Sequence, residues 1–200
     1  MEMLTPEEEM ILEAAGGRFR RMKRVEYEKL ATEGFFEDEK VELLFGMVVP
    51  MTPIDPAHSL SSYRIRRALE SRIGDRAMVF EGRPFAASDI SEPEPDVLVT
   101  PNASEWESHP ASAHLIVEVA RSSLRRDRGA KALLYGLAEV AEYWIVNHVE
   151  GVVEVYRDRH AGEWRRPLMH KRGETVAMLA FPDVEIAISD ILPPIDSGSI

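Results

Sequence analysis

Cysteine is absent from the chain. Disulfides and thiolate metal sites are excluded, and a reducing, cytoplasmic setting fits the composition. No apolar run approaches the length that crosses a bilayer, so no membrane partner is expected. The N-terminal segment is acidic and lacks the basic start and long apolar stretch of a secretory signal. Positive charge is scarce as well: 24 Lys and Arg stand against 35 Asp and Glu, for a net −11. A surface that binds duplex is basic where it meets phosphate, so contact with nucleic acid here calls for a local basic rim or a bridging metal ion. The 6 histidines are scattered without an HxxxH pair, which argues against zinc. There is no phosphate-cradling glycine loop and no Gly-x-Ser-x-Gly. Trp106, Trp144 and Trp164 are too separated to form a base-stacking platform, and Trp144 reads as core. No repeat or low-complexity tract is present.

What remains is an ordinary globular composition, 44% hydrophobic and 30% charged over 200 residues, enough for one core. A short helix is expected over 1–17, ending at Gly16-Gly17. A second is expected over 25–33, where Tyr27, Leu30 and Ala31 share a face. Residues 42–51 read as a turn at Gly46 followed by a strand at 47–49, after which Pro50, Pro53 and Pro56 forbid regular structure. Residues 58–73 carry an apolar helical stripe of Ile65, Ala68, Leu69 and Ile73. Short strands are expected at 77–80 and 84–87, and a buried strand beginning at Asp96. A polar loop over 101–110 leads to a strand over 114–120 and a helix over 122–139, with Ser122 or Ser123 as N-cap. Two strands joined through Glu150-Gly151 form a hairpin, and short strands and turns continue to Leu192. Pro182-Asp183 reads as a turn. This order implies an α/β fold with a mixed central sheet and helices packed on it. The expected organisation is an N-terminal helical extension (1–24), one domain (25–192) and a loose tail (193–200).

Three residues stand out chemically. Asp96 opens a buried strand. Glu118 lies inside another, where Ile116, Glu118 and Ala120 share one face and Leu115, Val117 and Val119 the other. Glu118 is either on the solvent face of an edge strand or buried, and Ile116 and Ala120 beside it favour burial. A buried carboxylate needs a metal, a cation or a hydrogen-bonding partner. On the following helix Ala130, Leu133, Leu134, Leu137 and Ala138 form an apolar arc, with Asp127 and Lys131 within it or at its edge and Arg125 opposite. Asp127 and Lys131, four apart, also fit a surface ion pair. Two carboxylates and a lysine suit phosphodiester hydrolysis with Mg²⁺ or Mn²⁺, the lysine orienting water or stabilising charge on phosphate. Glu42 could complete such a set. The two arginine clusters, Arg64, Arg66, Arg67 and Arg72, then Arg121, Arg125, Arg126 and Arg128, are either solvated helix faces or parts of a basic rim.

The ordered set VELLFG (41–46), PDVLV (95–99), LIVEVARSS (115–123), DRGAKALLY (127–135), AEYWIVN (141–147) and VEVYR (153–157) resembles the Uma family of bacterial endonucleases, within the PD-(D/E)XK nuclease superfamily. The resemblance covers about 25–192 and implies a restriction endonuclease-like fold. It implies that Asp96 and Glu118 bind a divalent metal, that Lys131 is the catalytic lysine and that Glu42 is a supporting acid. In the wider superfamily the lysine lies two residues beyond the glutamate, where this chain has Ala120; Lys131 takes over from the next helix. Phe45 and Asn147 stand where the family usually has Asp. His58 matches a histidine often found there, and His58, Arg125 and Arg128 are candidate phosphate contacts. The resemblance further implies DNA as partner and a homodimer, with the hairpin edge at 152–156 as a candidate surface. The alternative, favoured by the net charge, is a binding or assembly module on the same fold with little or no catalysis.

Overall fold

A computed structural model describes residues 10, 14, 16, 20–103 and 107–193. The expected helix over 1–17 and the tail over 193–200 lie almost wholly outside the described residues. In chain order the elements begin with α1 (Arg24–Thr32), β1 (Val41–Leu44), β2 (Met47–Pro50) and α2 (Pro56–Ile73). β3 (Ala77–Glu81), β4 (Val97–Pro101) and β5 (Leu115–Ala120) follow. Helix α3 has three contiguous pieces, Leu124–Arg126, a π-helical turn Asp127–Lys131, and Ala132–Leu137. Then come β6 (Tyr143–Asn147), β7 (Val152–Tyr156), the short β8 (Arg159–His160) and β9 (Glu163–Trp164), and β10 (Leu168–Lys171). β11 (Thr175–Ala177), β12 (Glu185–Ala187) and α4 (Ile188–Ile191) complete the order.

The β-branched, apolar stretches become the inner strands of a six-stranded sheet ordered β10-β7-β6-β5-β4-β3. Only β5 and β6 run parallel, because α3 crosses over between them; the other neighbours are antiparallel. Alternation along β5 divides its residues between two layers, as the sequence predicts. Val117 and Val119 pack with Ile65, Leu69 and Ile73 of α2 and with Ile188 and Ile191 of α4. Ile116 and Ala120 pack with Leu134 and Tyr135 of α3. Each such aliphatic side chain taken from water stabilises the fold by about 1.5–3 kcal/mol.

α2 starts two residues before its apolar stripe suggests. Asp55 caps it by accepting from the His58 N–H at 2.9 Å, and Pro56 fills the first turn. β1 and β2 form a hairpin through Phe45 and Gly46, with φ of 52° and 81°. Gly adopts this backbone easily and Phe does not, so Phe45 takes the less favourable place in the turn.

Four expectations need correction. The 84–87 segment is not a strand: Phe85 is fully buried, but its N–H bonds only to the Pro93 carbonyl, so no ladder forms. The buried strand starts at Val97, with Asp96 just ahead of it. The 152–156 segment is no free edge, because β7 is hydrogen-bonded on both sides, to β6 and β10, and all five of its residues are buried. The apolar arc of α3 is displaced by about one position. Its inward face carries Asp127, Lys131, Leu134 and Tyr135, whereas Leu133 and Leu137 are 43% and 55% exposed.

Candidate active site

The site grows from the β4–β5 pair. Val97 is registered against Val117, and continuing that register by one residue sets Asp96 opposite Glu118. Asp96 is fixed from two directions. Its Oδ2 accepts the Val119 N–H of β5 at 2.6 Å, and its Oδ1 lies 2.8 Å from Nε2 of His58, from the first turn of α2. Asp96 and His58 keep some exposure, whereas Glu42, Glu118 and Lys131 are almost wholly enclosed. Solvent therefore reaches the site on the Asp96 side.

α3 supplies the other half. Lys131 Nζ donates to Glu118 Oε1 at 2.9 Å and lies 3.1 Å from Glu42 Oε2. The Tyr135 hydroxyl, one helical turn on, donates to the same Glu118 oxygen at 2.6 Å. Glu42 sits on β1 and also accepts the Glu94 N–H at 3.3 Å. Arg126 lies 3.6 Å from Glu42 Oε1 and donates to the Pro50 carbonyl at 2.9 Å, which ties the hairpin to α3. Asp127 is 2% exposed; the Ser123 hydroxyl bonds its carboxyl group, while its Oδ2 has no partner. A cavity of about 40 Å³ is lined by Glu42, Glu94, Asp96, Glu118, Asp127 and Lys131, with His58 at its margin. That is room for about one water molecule.

Five carboxyl groups thus share a small buried space with one lysine. Burial pushes Glu118 well above the ordinary carboxylate range; Lys131 opposes this, and Asp96, Asp127 and Glu42 add to it. Burial also raises Glu94, and it lifts Asp127 to about 6 despite Lys131 and Ser123. At Lys131 burial disfavours the charge, but Glu118 and Glu42 outweigh it and keep the ammonium protonated. At His58 burial likewise opposes protonation, and the contact with Asp96 more than offsets it. The crowded carboxyl groups resist ionising together, and an added cation would favour their charged forms.

Of the residues singled out from sequence, Asp96, Glu118, Lys131, Glu42 and His58 meet in this space. Arg128 does not: it binds Glu154 through Nε at 3.0 Å and Nη2 at 2.8 Å, and Glu150 at 2.7 Å. Arg125 lies on the exposed side of α3. Sequence reasoning missed Glu94 as a lining group and Tyr135 as a partner of Glu118, and placed Asp127 on the inward arc without giving it a role. The spacing 127, 131, 135 was a readable signal, since steps of four return to one helix face. Among the described residues no three carboxylate or imidazole groups stand close enough to cage a metal by themselves.

A mixed sheet flanked by helices, with an acidic cluster and a lysine at its β4–β5–α3 junction, defines a restriction endonuclease-like fold. The chain belongs to the Uma2 family, described as "Putative restriction endonuclease", whose family model matches residues 24–189. The fold is similar to a crystal structure titled as that of a putative nuclease belonging to DUF820 from Anabaena variabilis ATCC 29413. The TM-score is 0.64 at 15% sequence identity, over 77% of this chain and 90% of that one. No curated protein sequence matches the chain. Among the described residues no helix is long and apolar enough to cross a membrane.

Proposed function

We propose that the chain is a divalent-metal-dependent endonuclease acting on DNA, with Asp96 and Glu118 as metal ligands. The residues suit Mg²⁺ or Mn²⁺: the donors are hard carboxylate oxygens, one buried carboxylate oxygen has no partner, and burial with neighbouring carboxyl groups holds Glu118 back from ionising, which a bound cation would offset. Mg²⁺ commonly takes one or two protein carboxylates and keeps several waters, so two ligands suffice without a three-residue cage. The bound ion would polarise the phosphodiester and acidify a water. The observation that carries the reading is the convergence of Lys131 on Glu118 beside Asp96.

Each side chain then has a separable task. Asp96, the solvent-facing carboxylate, meets the incoming phosphate first. His58 and the Val119 N–H hold its two oxygens in place. Lys131 donates to Glu118 and is ion-paired with Glu42, which fixes the ammonium and leaves it N–H donors for a phosphate oxygen or the attacking water. Tyr135 orients Glu118 through its hydroxyl. Glu42 keeps Lys131 charged.

Purified protein with Mg²⁺ or Mn²⁺ should nick supercoiled plasmid, and Asp96→Ala and Lys131→Ala should abolish nicking. Robust cleavage by both variants would overturn the assignment. The second reading is a binding or assembly module on this fold. It is favoured by the net charge of −11 and predicts Mn²⁺ binding without nicking. Cutting both strands of a duplex calls for two sites, hence a homodimer. The sheet edges for such a contact are β10 and β3 rather than β7. Light scattering coupled to gel filtration would test it.

A further inference from the structure

Asp127 has no task in the assignments above, yet it is one of the most enclosed ionisable groups in the chain. A carboxylate four residues before a lysine on a helix ordinarily pairs with that lysine. Here it does not. Lys131 forms its ion pairs with Glu118 at 2.9 Å and Glu42 at 3.1 Å. Asp127 is left with the Ser123 hydroxyl and with an Oδ2 that has no partner, at 2% exposure. An unmatched carboxylate oxygen is costly inside a protein. The backbone commits to the arrangement nonetheless. Asp127 begins the π turn, its carbonyl accepts the Ala132 N–H five residues on, and the same carbonyl accepts the Tyr143 hydroxyl at 3.1 Å.

The space beside this side chain bears on the partner it can take. Asp127 lines the same 40 Å³ space as Asp96 and Glu118. It is not a third direct ligand, since among the described residues no three such groups stand close enough to hold one ion together. What lies between is the size of a water molecule. An ion that keeps several of its waters presents just such a hydrogen-bond donor.

We propose that Asp127 is a positioning residue of the metal site: its free carboxylate oxygen accepts a hydrogen bond from a water carried by the divalent ion of Asp96 and Glu118, and so fixes that water beside Lys131. The inference rests on the metal-dependent reading above and deepens it. Asp127 acts through the water, and Ser123 holds its carboxyl group in the receiving orientation.

The test is Mn²⁺ binding to the full chain, by calorimetry and by relaxation enhancement of water protons. Asp127→Asn keeps the shape and removes the charge. It should raise the Mn²⁺ dissociation constant about 10-fold or more, the range seen when partners of metal-bound groups are lost. Relaxation enhancement should change with it, because a held water becomes freely exchanging. Thermal stability should be equal or higher, whereas a merely structural Asp127 would lose stability and leave Mn²⁺ affinity alone. Asp127→Ser is the second variant, should Asp127→Asn not fold, and should weaken Mn²⁺ similarly. Asp96→Asn is the control for the site itself. If Asp96→Asn weakens Mn²⁺ binding while the Asp127 variants stay within 2-fold of the parent, this inference fails and the nuclease reading stands. If the parent chain binds no Mn²⁺, both fail together.

Discussion

The ammonium of Lys131 lies 2.9 Å from Oε1 of Glu118, although thirteen residues and a strand-to-helix turn separate them in the chain. The pair is buried, and Glu42 joins it from a third element. Such a pair is expensive to break from one side, because the partner left behind keeps its charge without solvent.

Lys131→Met should therefore cost stability and catalysis by different routes. Glu118 and Glu42 lose their cation, and unfolding in urea near pH 8 should show a loss of about 3–5 kcal/mol. The deficit should shrink as pH falls toward 5, where Glu118, raised by burial, takes up a proton. Mn²⁺ affinity should hold or rise, since one competing positive charge is gone, while nicking disappears. Nicking at parental rate would show that the lysine only balances charge.

Asp127 gives a pH signature in the metal-free protein. Its carboxyl group is held at about 6 against an ordinary 3.8. A group raised on folding stabilises fully below its unfolded value, and that contribution is lost as pH rises through the folded value. Asp127→Asn should match the parent near pH 4 and exceed it above pH 7 by up to about 3 kcal/mol, at 1.36 kcal/mol per pKa unit. Urea titrations across that range, without divalent metal, check both the sign and the window. A variant that loses stability above pH 7 would count against the account.

Glu154 offers a contrast, because it is buried but fully served. It accepts from Arg128, from Asn147 Nδ2 at 2.9 Å and from the Tyr156 hydroxyl at 3.0 Å. Its strand lies two strands from that of Glu118. Glu154→Gln should lower stability by about 3 kcal/mol, as a hydrogen-bonded charge pair is broken from one side. Calorimetric melting would register this, with Mn²⁺ affinity of the folded protein unchanged.

Gly136 tests how α3 is seated. A Cβ at this position would lie 2.0 Å from the Gly162 carbonyl oxygen. Gly136→Ala must push the β8–β9 turn away, at about 1–3 kcal/mol. The Trp164 indole, which donates to the Ala132 carbonyl at 2.7 Å, is the reporter: its fluorescence should change along with the urea midpoint.

Much of this was legible in the sequence because strands alternate strictly. The facing of Glu118 with Ile116 and Ala120 follows from a period of two. The inward face of α3 was harder, because hydrophobicity misleads there. Its buried side carries Asp127, Lys131 and a tyrosine, while two leucines lie outside. An apolar arc cannot report a face that is polar for chemical reasons. The error at β7 has another source. The 152–156 segment contains nothing to announce that β10 arrives from further along the chain to cover it. Net charge failed in a third way: −11 is a sum, and it does not tell that five carboxyl groups share one cavity.

The π turn between Asp127 and Lys131 has a consequence for how this chain tolerates change in length. A helix acquires such a turn when it holds one residue more than its ladder can place. Deleting Ala130, an exposed residue, would let the ladder close as an ordinary helix, and Asp127 would shift by only about 30° relative to Lys131. Substitutions at Ala130 should pass almost unnoticed, and its removal should disturb the site less than a deletion one turn further along the helix. At this spot the chain has a residue to spare: the helix can lose one and still present the same face.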